Sequence, residues 1–75
     1  MMKTMNLTAL LERENEGFVS LCPELDVASQ GQTVEEALAN LKEAVELFLE
    51  CAPAEELVRR YRGEVFVTRF EAAYA

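Results

Sequence analysis

The chain contains no histidine. Histidine is the usual general base near neutral pH and the commonest metal ligand, so neither role is filled in the ordinary way here. A Ser–His or Cys–His nucleophile cannot be assembled within one chain. Aspartate is almost as scarce, with Asp26 the only one. The three glycines, Gly17, Gly31 and Gly63, are too scattered to make a phosphate-cradling loop. Two cysteines, Cys22 and Cys51, form no CxxC and are too few for the disulfide framework of a small secreted domain. Cysteine is among the most buried residue types, so both read as core filler. No apolar run approaches about 18 residues, and no basic-then-apolar leader opens the chain. A cytoplasmic protein with no membrane association is expected.

Positive charge is also sparse: 7 basic residues face 14 acidic ones, for a net charge of −7. An acidic surface repels phosphate backbones, so direct nucleic-acid binding is not expected. The same charge suits a basic protein partner, or serves only to keep the domain soluble.

What is present is apolar. Hydrophobic residues make up 51% of the 75 positions, enough for a globular core and too many for a disordered chain. Residues 1–75 are read as one domain. A chain this short hides only about 60% of its unfolded surface, so its own core is marginal and a homo-oligomer is expected.

Met5, Leu7, Ala9 and Leu11 recur with a period of two and predict a first strand. The segment 13–17 is polar, and Asn15 and Gly17 can both adopt positive φ. Phe18 to Cys22 then returns as a second strand, stopped by Pro23, which cannot donate to a ladder. Val27 to Gln30 predicts a third. Thr33 and Glu36 have the spacing of a capping box. Behind them Val34, Ala37, Leu38, Leu41, Val45, Phe48 and Leu49 form one stripe of a long helix. Leu47 lies off that stripe and is expected to be exposed, either as a partner contact or as an isolated surface leucine.

Pro53 suits the first turn of a short second helix over 53–62, with Glu55 and Glu56 at its start and Arg59, Arg60 and Arg62 at its end. The arginines are read as dipole complements and ion-pair donors rather than as a phosphate patch. Glu64 to Phe70 alternates and is rich in β-branched and aromatic residues, which predicts a fourth strand. It is apolar on both faces and so calls for cover, which a neighbouring subunit could supply. Val65, Phe66, Val67 and Phe70, together with Leu47, are the candidate oligomer or partner interface. Residues 71–75 read as a loose tail. The expected fold is α+β in the order β-β-β-α-α-β, a small antiparallel or mixed sheet with one long helix packed on it.

The remaining route to chemistry is a carboxylate cluster holding magnesium. Glu24 and Asp26 are close in sequence, but the inward-facing strand positions supply no third acid. The pair reads as a solvated turn. No catalytic residue, metal site or cofactor is expected, and the chain is not expected to be an enzyme.

Glu16-Gly17-Phe18-Val19, Cys22-Pro23-Glu24-Leu25, and Ser29-Gln30-Gly31-x-Thr33-x-Glu35-Glu36-Ala37-x-x-x-Leu41 follow one another in a recognisable order. Over roughly residues 5–49 this combination resembles the HicB-like antitoxin family. The resemblance implies a partial ribonuclease-H-like fold lacking that enzyme's active site. It also implies a module that binds and blocks HicA, a small basic toxin that cleaves messenger RNA. Many members carry a C-terminal DNA-binding domain that represses their own operon, and no such domain is expected after Phe70. This chain also has Asp26-Val27 where many relatives have Pro-Gly, a shorter connection.

Three functions compete. The leading one is a non-catalytic HicB-like antitoxin module in a toxin–antitoxin system. The second is a self-associating structural or regulatory domain without a toxin client. The third is a divergent metal-dependent nuclease using Glu24 and Asp26. A ribbon-helix-helix DNA binder fails because the first strand carries no basic residue.

Overall fold

A computed structural model describes residues 4–75. Three strands, β1 (Leu10–Glu14), β2 (Gly17–Cys22) and β3 (Val27–Gly31), are followed by α1 (Val34–Cys51) and α2 (Ala54–Arg60). The strands form one antiparallel sheet in the order β1-β2-β3. The fold is therefore α+β, with the long helix laid across β3 and β2 as expected.

The β1–β2 register runs from Leu10 opposite Leu21 to Glu14 opposite Gly17, leaving only Asn15 and Glu16 as the connection. Asn15 takes the positive φ, 53°, that a tight hairpin requires. Gly17 does not; it is needed for space, because a Cβ there would lie 2.8 Å from the Gly31 carbonyl oxygen. The tighter turn draws Arg13 and Glu14 into the strand, where Arg13 stacks 4.6 Å over the Phe18 ring of its cross-strand neighbour. The expected first strand over residues 5–11 is thus displaced. Ladder pairing begins at Leu10 because β2 ends at Cys22, and among the described residues no strand lies beside residues 4–9.

Gly31 brings β3 against the start of α1. A Cβ at this position would sit 2.5 Å from the Ala37 amide nitrogen and 2.8 Å from the Glu36 carbonyl carbon, so only glycine fits. Thr33 then caps the helix, its hydroxyl accepting from the Glu36 amide at 3.0 Å. The reciprocal half of the box differs from expectation: the Glu36 carboxylate accepts from the Gln32 amide at 2.9 Å, one residue earlier.

The apolar stripe of α1 delivers Ala37, Leu41 and Val45 to the interior, where Leu41 and Val45 pack with Cys22 and Leu25. Burying Leu25, Leu41 or Val45 is worth about 1.5–3 kcal/mol each. Val34 and Leu38, at the start of the same stripe, stay exposed. Ser20 is also buried, and its hydroxyl donates to the Ala37 carbonyl at 3.0 Å, tying the central strand to the helix. The two cysteines part company: Cys22 is core filler, but Cys51, the last residue of α1, is exposed.

α2 is shorter than the expected 53–62. Tyr61 is already extended, and the Arg62 amide donates to the Glu24 carbonyl at 2.7 Å instead of joining the helical ladder. Residues 61–75 contain no turn, bend or ladder pairing, so the fourth strand expected over 64–70 has no partner in the sheet.

Candidate functional site

The β2–β3 turn (residues 23–26) is the best-tied part of the molecule. Leu25 is completely buried, and its amide bonds back to the Cys22 carbonyl. Asp26 completes the turn with φ 56°. Glu24, only 6% exposed, points inward, which overturns its reading as part of a solvated turn. Its carboxylate accepts the Thr8 amide at 3.0 and 3.1 Å and the Thr8 hydroxyl at 2.6 Å. The Cys22 thiol donates to it as well, at 3.6 Å. Burial pushes the Glu24 carboxyl up, but the Thr8 hydroxyl and amide together outweigh it and hold the group below the usual carboxylate range. Burial first, and the neighbouring carboxylate second, push the Cys22 thiol up.

From the other side Arg60 donates to the Leu25 carbonyl at 3.1 Å and the Asp26 carbonyl at 2.7 Å, with its guanidinium 4.7 Å over the Phe48 ring. Arg59 and Arg60 pair with Glu56, as the charge pattern suggested. The carbonyl clamp made by Arg60 has no sequence signature, because its acceptors are backbone atoms 34 and 35 residues away. Glu24 and Asp26 do not converge: one is held by Thr8, the other is exposed. Among the described residues no group of three or more acids and cysteines is placed to hold a metal ion.

Two surfaces remain open. Residues directly opposite in the ladder share a face, so Val19 and Leu21 lie with Leu10, Glu12, Ala28 and Gln30. The opposite face bears Ser20 and Cys22 and carries α1, with Leu57 of α2 on the same core cluster. The Val19 face therefore carries neither helix. It is an apolar strip with Glu12 and Glu14 along one margin.

The second surface is a groove of about 700 Å³ between residues 4–9 and the helices. Met5, Leu7 and Ala9 form one wall, and Leu38, Leu41 and Leu49 are prominent in the other. Buried core residues thus form the floor of an open trough. Met5 and Leu38 are the exposed large apolar residues at its lip.

The candidate interface residues are not gathered into one patch with the core. Leu47 stands alone on the outer side of α1 at 60% exposure, as its position off the stripe suggested. Phe66 and Phe70 are 88% and 86% exposed, Val67 is exposed and Val65 is half-buried.

A protein from Helicobacter pylori (strain J99), named UPF0150 protein, is 36% identical over 72 residues, covering 95% of this chain and all of its own length. The chain belongs to the UPF0150 family. Two further UPF0150 proteins, both from Synechocystis sp., are 48% identical over 52 residues and 46% identical over 46. They share 67% and 59% of this chain and 66% and 64% of their own lengths. No family model matches the chain, and no solved structure matches it. The full-length match to the Helicobacter UPF0150 protein spans the sheet, both helices and most of the C-terminal segment together. No helix among the described residues is long and apolar enough to cross a membrane.

Proposed function

We propose that this UPF0150 protein is a non-catalytic, HicB-like antitoxin-type module that sequesters a small basic protein partner, a HicA-type messenger-RNA-cleaving toxin. The observation that carries the reading is the helix-free sheet face. Its apolar strip of Leu10, Val19, Leu21 and Ala28 has carboxylates at its margin, on a chain of net charge −7. Such a face offers a partner a desolvated centre, and its charged edge steers a basic protein to it. The ordered sequence pattern from Glu16 to Leu41 supports the HicB-like assignment. A cytoplasmic location accords with this role.

Co-expression with a small basic protein encoded beside it tests the proposal. Rescue of growth and a co-purifying complex are expected. Leu21→Asp, which places a charge in the middle of the strip, should abolish both while α1 and the sheet persist by circular dichroism. Free behaviour of both chains, with no rescue, would sink the antitoxin role.

A further inference from the structure

Two segments of this chain have the sequence of strands and, among the described residues, no strand beside them. The first is residues 4–9, where Met5, Leu7 and Ala9 recur at every second position and line the groove. The second is residues 64–70, with Val65, Phe66, Val67 and Phe70. Each has backbone donors and acceptors without ladder partners, and an apolar surface of that kind is a ready template for strand addition. What one lacks the other can supply.

The chain's own arm does not turn back to do so. α2 ends in extended backbone at Tyr61 (φ −69°, ψ 124°), and Gly63 does not use a positive φ to make a turn. No bend occurs from residue 61 to residue 75. The result is an elongated molecule, 52 Å along its longest axis, with a radius of gyration of 14.5 Å. A compact chain of this length has a radius of gyration near 11 Å. The arm is also anchored at its root: the Arg62 amide bonds to Glu24, whose carboxylate holds Thr8 at the end of the groove wall. An arm that leaves straight from beside the groove, with its phenylalanines in solvent, is suited to reach a second molecule.

We infer that residues 64–70 are a donated strand, which lies in the groove of a second copy of this chain and pairs with its residues 4–9, while the second copy's arm does the same in return. Each copy has one arm and one groove, so reciprocal exchange closes at two subunits and leaves neither unfilled. The trough lined by Leu41 and Leu49 is completed only by the partner's strand. This assembly does not depend on the antitoxin reading, since it concerns the groove and arm rather than the open sheet face.

The test uses the full chain. Light scattering after gel filtration should give twice the 8.4 kDa chain mass at micromolar concentration. Val67→Pro removes a ladder donor, and Phe66→Asp places a charge on the arm; both residues are exposed within one subunit, so each variant should retain its helical signal and run as a monomer. A mixed sample of isotope-labelled and unlabelled chains should show intermolecular nuclear Overhauser contacts from the Phe66 and Phe70 rings to Leu7 and Leu38. A monomeric parent chain, a dimer that survives both substitutions, or ring contacts confined to one chain would each overturn the exchange. Contacts confined to one chain would show that the arm folds back into its own groove.

Discussion

Glu24→Ala removes one carboxylate and strands both Thr8 donors together with the weaker Cys22 thiol. In the parent chain the Glu24 oxygens accept the Thr8 amide and hydroxyl at 2.6–3.1 Å and the Cys22 thiol at 3.6 Å, and the residue is buried. A hydrogen bond to a charged group is worth about 1.5–3 kcal/mol, and a buried donor left without a partner costs a similar amount. Thr8 is only half-buried, so water recovers part of that loss, and about 2 kcal/mol is the expected net destabilisation. For a domain of this size each kcal/mol moves the midpoint by about 4–8 °C, so Tm should fall by roughly 8–16 °C. Urea titration should show a lower midpoint with an unchanged slope, because the surface exposed on unfolding is nearly the same.

Glu24→Gln separates charge from shape. The amide keeps one acceptor for Thr8 and fills the same volume, so its cost at neutral pH should be about half that of alanine. The two chains should diverge in acid. Glu24 titrates below its unfolded value, so its contribution is fully present above about pH 4.3 and is lost as pH falls through its folded-state pKa. The parent should therefore lose stability on acidification more steeply than Glu24→Gln. An alanine variant melting within about 2 °C of the parent, or parallel acid limbs for parent and glutamine variant, would refute the idea that this carboxylate ties residue 8 to the turn.

Other perturbations read other parts of the structure. One thiol per native chain should react quickly with a disulfide reagent, and Cys51→Ser should abolish that fast phase, because Cys22 is buried with its thiol pushed up. Gly31→Ala should cost about 1–3 kcal/mol by urea titration, since its Cβ would meet the Ala37 and Glu36 backbone rather than a flexible side chain. Arg60→Lys should destabilise by about 1 kcal/mol despite keeping the charge, because an ammonium cannot both span the Leu25 and Asp26 carbonyls and stack on Phe48. A Tm for Arg60→Lys equal to the parent's would show the clamp to be idle.

Local signals carried well into the structure where a residue's partners are its neighbours. Thr33 caps α1, Pro23 ends β2, and the three-and-four spacing of Ala37, Leu41 and Val45 selects the buried side of the helix. Signals failed where the deciding partner is distant or absent. Glu24 reads as a solvent-facing turn acid until Thr8, 16 residues earlier, supplies the donors that let it be buried. Arg60 shows its use only when the turn at Leu25 and Asp26 comes within reach. Residues 5–9 and 64–70 have the alternation of strands, yet alternation reports which faces want cover and not what provides it. Within one subunit Leu7 and Ala9 rest on the core, but neither segment gains a strand partner among the described residues, and these are the two segments that the proposed exchange pairs. In the exchanged dimer both segments are strands. The period-two pattern was then selected by a sheet that exists only when two chains meet.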